Sequence, residues 1–438
     1  MMRVQLHHLQ ITVRAALITA ILNAAILTAA ILITGSTSRA ADNDWPRWRG
    51  EKGDASSNES GLLKSWPSEG PPLAWQSKGL GSGFSSLSIV GERVFTMGQK
   101  GGKGVLLCLN RADGKLLWET PFGGGDPNCT PTTDGDHVYG LARNGELACL
   151  KISDGSIVWQ TSLTKDFGGK EPTWGYSESP LIDGDMLICS PGSQDAFVVA
   201  LNKLTGAVVW KAQLDPATNL KGHGGAGYSS PVISNAAGVK QYVTLTGKGL
   251  TSVNAKTGEV LWIYDRVSNG TANIPTPIVS GDFILCSSGY GDGGTALVQV
   301  MKQQKKIGWK EIYYFPAKDL QNHHGGMILL DGYVYMGEGH NNGFPVCFDL
   351  KTGKRTWKPG RGPGRESAAV AYADGHLYFR YQDATMALIE ADPRSYKVKG
   401  SFKIGVHNRE SWSHPVILDG KLYLRDQDDL LVYDVKAK

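Results

Sequence analysis

One pattern recurs eight times between Leu73 and Lys438: a short apolar run, a turn glycine, a second apolar run, a third, then a Thr-Gly or Asp-Gly turn and a tryptophan. The first turn glycine falls at Gly91, Gly135, Gly184, Gly238, Gly281, Gly332, Gly375 and Gly420. The tryptophan falls at Trp118, Trp159, Trp210, Trp262, Trp309 and Trp357. Self-similarity at a period of roughly 40–50 residues belongs to repeat architectures, in which each copy stacks on its neighbours to bury a continuous core. The copy from Ser179 to Trp210 reads as four runs of two-residue alternation joined by glycine-containing turns, an antiparallel four-stranded meander. Eight such sheets predict an all-β chain folded as an eight-bladed β-propeller.

In that fold the tryptophan of the outermost strand fills the wedge between two twisted blades. The glycine four residues earlier, at Gly114, Gly155, Gly206, Gly258 and Gly353, supplies a turn conformation that other residues resist. The fifth copy carries Lys305 in that turn, and the seventh ends at Phe402. The eighth, Ser413 to Lys438, stops after about three runs and lacks its tryptophan. Pro72-Leu73-Ala74-Trp75 looks like the missing strand, so residues 72–438 are expected to close as a ring through their N- and C-terminal strands, leaving no open edge. Seven blades with a terminal appendage is the alternative. Residues 41–71, with Trp45, Trp48 and Trp66 among polar, Gly and Pro residues, are expected to lie over the rim as an extended strap.

Residues 1–40 stand apart. Arg3 and Arg14 mark a basic start, Ala15 to Thr34 is apolar, and Ser38-Arg39-Ala40 offers a small-x-small cleavage site, the form of a secretory signal peptide. An uncleaved anchor is the competing reading, since the apolar run is long enough to span a bilayer. The segment carries three arginines and no acid, so it holds three of the four net positive charges and leaves the rest of the chain at +1. Such a balance predicts no general attraction to nucleic acid or anionic membrane. No later segment resembles a transmembrane helix, and a periplasmic or secreted monomer is expected. The six cysteines (Cys108, Cys129, Cys149, Cys189, Cys286, Cys347) sit mostly in apolar strand patterns without CxxC or CxxCH, which reads as buried small hydrophobes rather than zinc or haem chemistry.

With strands lettered A to D along each copy, the short A–B and C–D turns share one face, and the variable D–A and B–C segments share the other. Function is more often carried by variable loops on a rigid scaffold. The segments leading into strand A are Ser85-Ser86, Asn128-Cys129-Thr130, Tyr176-Ser177-Glu178, Tyr228-Ser229, Asn273, His323-His324-Gly325, Arg365-Glu366 and Arg409 to His414. With the B–C loops Gly289 to Asp292 and Gly339 to Asn342, they form a polar and aromatic mouth suited to a ligand. Gly289 to Gly294 matches GxGxxG, but no helix follows, which argues against a dinucleotide fold. His323, His324 and His340 are candidate metal ligands, yet neighbours on a strand face opposite ways, so at most one of the adjacent pair is expected to face the channel. No GxSxG elbow or GxxxxGK[ST] loop is present.

Asn254-Ala255-Lys256-Thr257-Gly258-Glu259-Val260-Leu261-Trp262 and its sister segments resemble the repeat of the pyrroloquinoline-quinone (PQQ) propeller superfamily. That superfamily includes quinoprotein alcohol dehydrogenases and the propeller lipoprotein of the outer-membrane β-barrel assembly machine. The resemblance covers nearly everything after residue 40. In quinoproteins PQQ and Ca²⁺ lie in the channel mouth, the calcium ligands including a Glu, an Asn and an Asp, with an Asp also acting as base; a hard cation takes oxygen ligands and polarises the quinone carbonyl. The resemblance implies Glu178 and Asn273 as calcium ligands, and Asp292, Asp319 or His323 as the group taking the substrate proton. Cofactor-binding candidates are Glu178, Tyr228, Asn273, His324, Arg365, Glu366, Arg409, Trp412 and His414. The vicinal cysteine pair of many such dehydrogenases is absent, as is the lipoprotein's cysteine directly after the signal segment.

Three functions remain open at this level. The first is an exported scaffold whose top face binds a small molecule or an envelope protein, without assigned catalysis. The second is a PQQ- and calcium-dependent alcohol or polymer dehydrogenase. The third is a glycan-binding propeller with Trp174, Tyr176, Tyr228, Tyr290 and Trp412 as stacking platforms.

Overall fold

The computed structural model describes residues 44–215, 220, 225–407 and 409–438. The expected export segment, residues 1–40, lies outside them. Among the described residues, thirty-two strands pair into eight four-stranded antiparallel sheets arranged as a ring. Blade 1 shows the common plan: strands Ser88–Val90, Arg93–Lys100, Lys103–Asn110 and Leu116–Gly124 pair in sequence order. Strand A lies nearest the axis, where it meets the A strands of adjoining blades. Strand D is outermost and carries exposed side chains such as Leu117 and Val209.

Blade 8 is composite. Leu73–Ser77 pairs antiparallel with Asp429–Asp434 and completes the sheet begun by Val416–Leu418 and Lys421–Asp426. The two ends of the chain therefore close the ring, and the seven-blade alternative is ruled out. At the A–B turns all eight predicted glycines have positive φ. The six cysteines are buried and unpaired.

Four of the tryptophans cross to the next blade. The indole N–H groups of Trp118, Trp159, Trp210 and Trp357 donate to the carbonyls of Ile152 (2.9 Å), Lys203 (2.8 Å), Ala255 (3.2 Å) and Asp392 (2.9 Å). The partner surface is the C–D turn of the next blade. A Cβ on Gly155 would lie 2.5 Å from Trp118, and one on Gly258 would lie 2.6 Å from Trp210. The turn glycine is thus needed twice, for its backbone and for the indole laid across it. An indole buried this way contributes at most about 4 kcal/mol.

The degenerate fifth copy follows from the same contact. Its hairpin turns at Gln304-Lys305, with no glycine to receive Trp262. Trp262 instead bonds the Gln241 side chain of its own blade (3.1 Å), and Trp309 points back to the Ile263 carbonyl (2.9 Å). The next seam is filled by Phe315 against Gly353 and by Tyr313, whose hydroxyl donates to the Leu350 carbonyl at 2.8 Å. In blade 7, Phe402 packs against Tyr433 of blade 8 and Trp66 of the strap.

Two fully buried arginines tie the last blades together. Arg380 donates to the Asp426 carboxylate (3.1 Å) and the Ser413 carbonyl (2.8 Å). Arg425 reaches from blade 8 to Met97 and Thr96 of blade 1.

Residues 44–71 run over the face that carries the A–B turns. Asp44 accepts from the Gly91 N–H, Glu59 from the Asp419 and Gly420 N–H groups, and Asp374 from the Leu62 N–H. The segment is no simple rim strap. Between these anchors it dips towards the axis and touches blades 1, 2, 6 and 7 through Trp45, Pro46, Arg49 and Ser57.

Candidate binding site

The D–A segments and two B–C loops meet around the axis, opposite the strap anchors, and enclose a cavity of about 460 Å³. That size suits a small-molecule ligand. Its walls mix rings with small polar groups: Phe84, Trp174, Tyr228, Tyr290 and Trp412 stand beside Asn128, Ser177, Ser179, Ser230 and Thr276. Trp174 lies 5.9 Å from Tyr228 and 6.5 Å from Tyr290 between ring centroids, and Phe84 lies 4.5 Å from Trp412.

The floor comes from the strap. Tight turns close with Gly50 N–H to the Arg47 carbonyl and Ala55 N–H to the Arg49 carbonyl, and they project Trp48 and Arg49 into the base of the cavity. The Trp48 indole donates to Thr276 Oγ1 (3.1 Å), and its ring lies 4.4 Å from that of His414. Arg49 is only 4% exposed. Its Nε donates to the Gly53 carbonyl (3.2 Å), and Nη2 donates to Asp54 (3.1 Å) and Met327 carbonyls. Burial lowers its pKa to about 10, against the attraction of Asp54.

The cavity histidines are neutral at ordinary pH. Burial, then the charge of Arg49, pushes His414 down to about 3. Burial, then His340, pushes His323 down to about 3, and His324 is well below its usual value from burial and its histidine neighbours. Both ring nitrogens of His323 are engaged, Nδ1 with Ser367 Oγ and Nε2 with the Tyr290 hydroxyl at 2.8 Å. The acids on the wall are paired: Arg409 lies 3.2 Å from Asp126 and 3.8 Å from Glu410.

Of the residues expected at the mouth, Tyr228, His323, His324, Arg409, Trp412 and His414 come together in this cavity, as do Trp174 and Tyr290. Glu178, Asn273, Asp292, Asp319, Arg365 and Glu366 do not line it. Glu178 is buried with one oxygen accepting from the Ser190 N–H, and Asn273 is bonded into the Asn269 turn. Asp292 accepts from the Gly270 N–H (2.9 Å). Asp319 is exposed in a turn closed by its N–H to the Pro316 carbonyl, and Arg365 and Glu366 are exposed. Tyr176 is fully buried, its hydroxyl on the Pro191 carbonyl, and offers no stacking face. Glu178, Asn273 and Asp292, the oxygen donors that a calcium ion would need, are each engaged in a local hydrogen-bond network and none of them lines the cavity. This chain's residues do not fit the calcium centre implied by the resemblance.

The histidine pair corrects an expectation. His323 and His324 lie in a loop rather than a strand, so alternation does not separate them; both line the cavity, with rings 4.4 Å apart. Trp48, Arg49 and Arg143 were missed. The only local signal for the first two is the run Trp45-Pro46-Arg47-Trp48-Arg49, dense in large side chains within a polar segment.

Two kinds of comparison bear on this arrangement. The family described as outer membrane protein assembly factor BamB matches residues 66–139 and 102–359. No curated protein matches the chain in sequence. Among solved structures the chain is similar to BamB from Moraxella catarrhalis, at 13% identity and a TM-score of 0.59, over 83% of this chain and 99% of that one. It is also similar to the quinohemoprotein alcohol dehydrogenase from Comamonas testosteroni, at 12% identity and a TM-score of 0.64, over 91% of this chain and 82% of that one. A europium-containing methanol dehydrogenase aligns at 13% identity and a TM-score of 0.65, over 88% and 89% of the two chains. At these identities the structural likeness establishes the fold alone.

Proposed function

The chain belongs to the PQQ-repeat family described as outer membrane protein assembly factor BamB, and from that premise we propose that it is an exported binding propeller of the cell envelope. Its top-face cavity receives a ligand, or a projecting group of a partner, without chemistry of its own. The observation that carries this reading is the cavity: ring faces and short polar side chains converge there, while its acids are already paired and His323 has both nitrogens engaged. A binding role needs ring faces and hydrogen-bond groups, and these are present. A dehydrogenase needs a base and a cation site, and the residues proposed for them stand elsewhere or are committed. The family description and the fold of BamB support an envelope location and a binding role; among the described residues no helix is long and apolar enough to cross a membrane.

The test uses tryptophan emission. Trp48, Trp174 and Trp412 face the cavity, so a ligand seated there alters emission, and Trp174→Ala with Trp412→Ala abolishes the change. Turnover of an artificial dye with alcohols after addition of PQQ and Ca²⁺ overturns the non-catalytic reading. Envelope proteins or ligands captured equally by the wild type and the double variant overturn the assignment of the site.

A further inference from the structure

The cavity floor holds an unsatisfied cation. Arg49 is 96% buried, and although Nε and Nη2 are spent on carbonyls, Nη1 has no partner. A buried guanidinium N–H left unpaired is costly, so its retention beside a cavity points to a ligand that completes it. The chain keeps room for this group: a Cβ on Gly326 would stand 2.1 Å from Nη1 and 3.2 Å from His414 Cε1. Two further buried atoms on the same floor lack partners, His414 Nδ1 and His324 Nε2.

Their roles differ in a way that selects the ligand. His414 Nε2 lies 3.1 Å from the His324 carbonyl, so in the neutral ring Nε2 carries the proton and Nδ1 presents a lone pair. The floor therefore sets a charged donor beside a neutral acceptor. A carboxylate satisfies the first, and a hydroxyl close to it satisfies the second. Above the floor, tilted rings suit the C–H faces of a saccharide, and Asn128, Ser177 and Ser230 match its hydroxyls. A flat aromatic polycarboxylate offers no hydroxyl to His414.

We propose that the cavity binds an acidic sugar, a hydroxylated ring whose carboxylate sits on Arg49 and whose neighbouring hydroxyl donates to His414. This rests on the reading of the cavity as a binding site. The sugar is either free or an exposed residue of a glycan. Asp126 and Glu410 at the wall are held by Arg409, and Arg143 is paired with Glu171, so among the described residues Arg49 is the cavity-lining cation that has an N–H without a partner.

The experiment titrates the wild-type protein by calorimetry with glucuronate, galacturonate, a galacturonate trimer, glucuronamide, glucose and PQQ. Binding of at least one uronate, tenfold or more tighter than glucuronamide and glucose, is expected. A trimer that exceeds its monomer assigns the glycan source; equal affinity assigns the free sugar. Arg49→Gln loses the preference for acid over amide, with its melting temperature checked because Arg49 also anchors the strap. Acid and amide binding alike overturns the carboxylate assignment. If that shared binding is lost in Trp174→Ala, the cavity itself stands as the site. Binding of PQQ in preference to every uronate, or of no uronate at millimolar concentration, overturns the proposal. Among these titrations, an unaltered tryptophan emission with every ligand and partner removes the underlying reading as well.

Discussion

The Trp75 indole lies over Gly114 across the seam where the ring closes, so near that a Cβ on the glycine would stand 2.5 Å from the indole Cζ3. Trp75 comes from the first strand of the propeller and Gly114 from the C–D turn of blade 1. The contact is the one Trp118 makes with Gly155, so the displaced tryptophan does for blade 8 what the others do in place. Gly114→Ala combines left-handed strain (φ 72°) with this clash and is expected to cost about 2 kcal/mol or more. Gly91→Ala, with φ 52° and open space around it, carries only the conformational part, about 1 kcal/mol. Trp75→Ala removes a half-buried indole, at about 2 kcal/mol. Urea denaturation of the double variant Trp75→Ala with Gly114→Ala should show less than the sum, because the truncated side chain no longer obstructs the alanine. Strict additivity would refute the contact.

The Arg380–Asp426 pair, both side chains fully buried, predicts a different pattern. Asp426→Asn leaves the guanidinium charged in a dry seam and is expected to cost about 3–5 kcal/mol. Arg380→Met with Asp426→Leu removes both charges and should restore most of that loss. Denaturation midpoints of the two variants decide the matter; a double variant no better than Asp426→Asn goes against it.

Glu178 makes stability depend on pH in an unusual direction. Burial raises its pKa to about 7, against the hydrogen bond from Ser190, whereas an unfolded glutamate titrates near 4.5. Between those values the folded chain holds more proton than the unfolded chain, so this group's stabilising contribution is full below pH 4.5 and is lost as pH rises through 7. Glu178→Gln should therefore leave stability unchanged at pH 4.5 and raise it at pH 8, by up to about 3 kcal/mol. Equal effects at both pH values would contradict the shift.

The ring was legible because its determinants are local and repeated: a glycine at positive φ, an alternating run and an aromatic at a set distance. The site was half legible. The segments leading into strand A did meet in one cavity, yet the residues chosen for calcium were the ones turned away from it. Ser177 and Ser179 line the cavity, so Glu178 between them faces inward between blades; Ala272 and Ile274 do the same to Asn273. In both runs the residues on either side of the calcium candidate point to the cavity and the candidate itself does not, the two-residue alternation of a strand. Misapplied to the loop that holds His323 and His324, it separated two residues that lie together. Arg49 had no comparable signal, since it meets Met327 across 278 residues of chain.

His414 should govern the acid limit of the fold. Burial against Arg49 and Arg380, opposed by the hydrogen bond to the His324 carbonyl, holds it at about 3, whereas an unfolded histidine titrates near 6.5. The unfolded chain thus takes up a proton that the folded chain refuses. This contribution is full above pH 6.5 and is lost as pH falls towards 3. His323 acts in the same direction. Glu178 opposes them between pH 4.5 and 7 but offsets only about one proton's worth, so wild-type stability should still climb with pH from 4.5 to 6.5, less steeply than it would without Glu178. In a Glu178→Gln background that climb should steepen, and adding His414→Gln should remove about one proton's share of the slope, roughly 1.4 kcal/mol per pH unit, leaving the share that belongs to His323 and His324. Urea midpoints at constant m-value measure it. A slope that survives His414→Gln intact would place the acid sensitivity elsewhere.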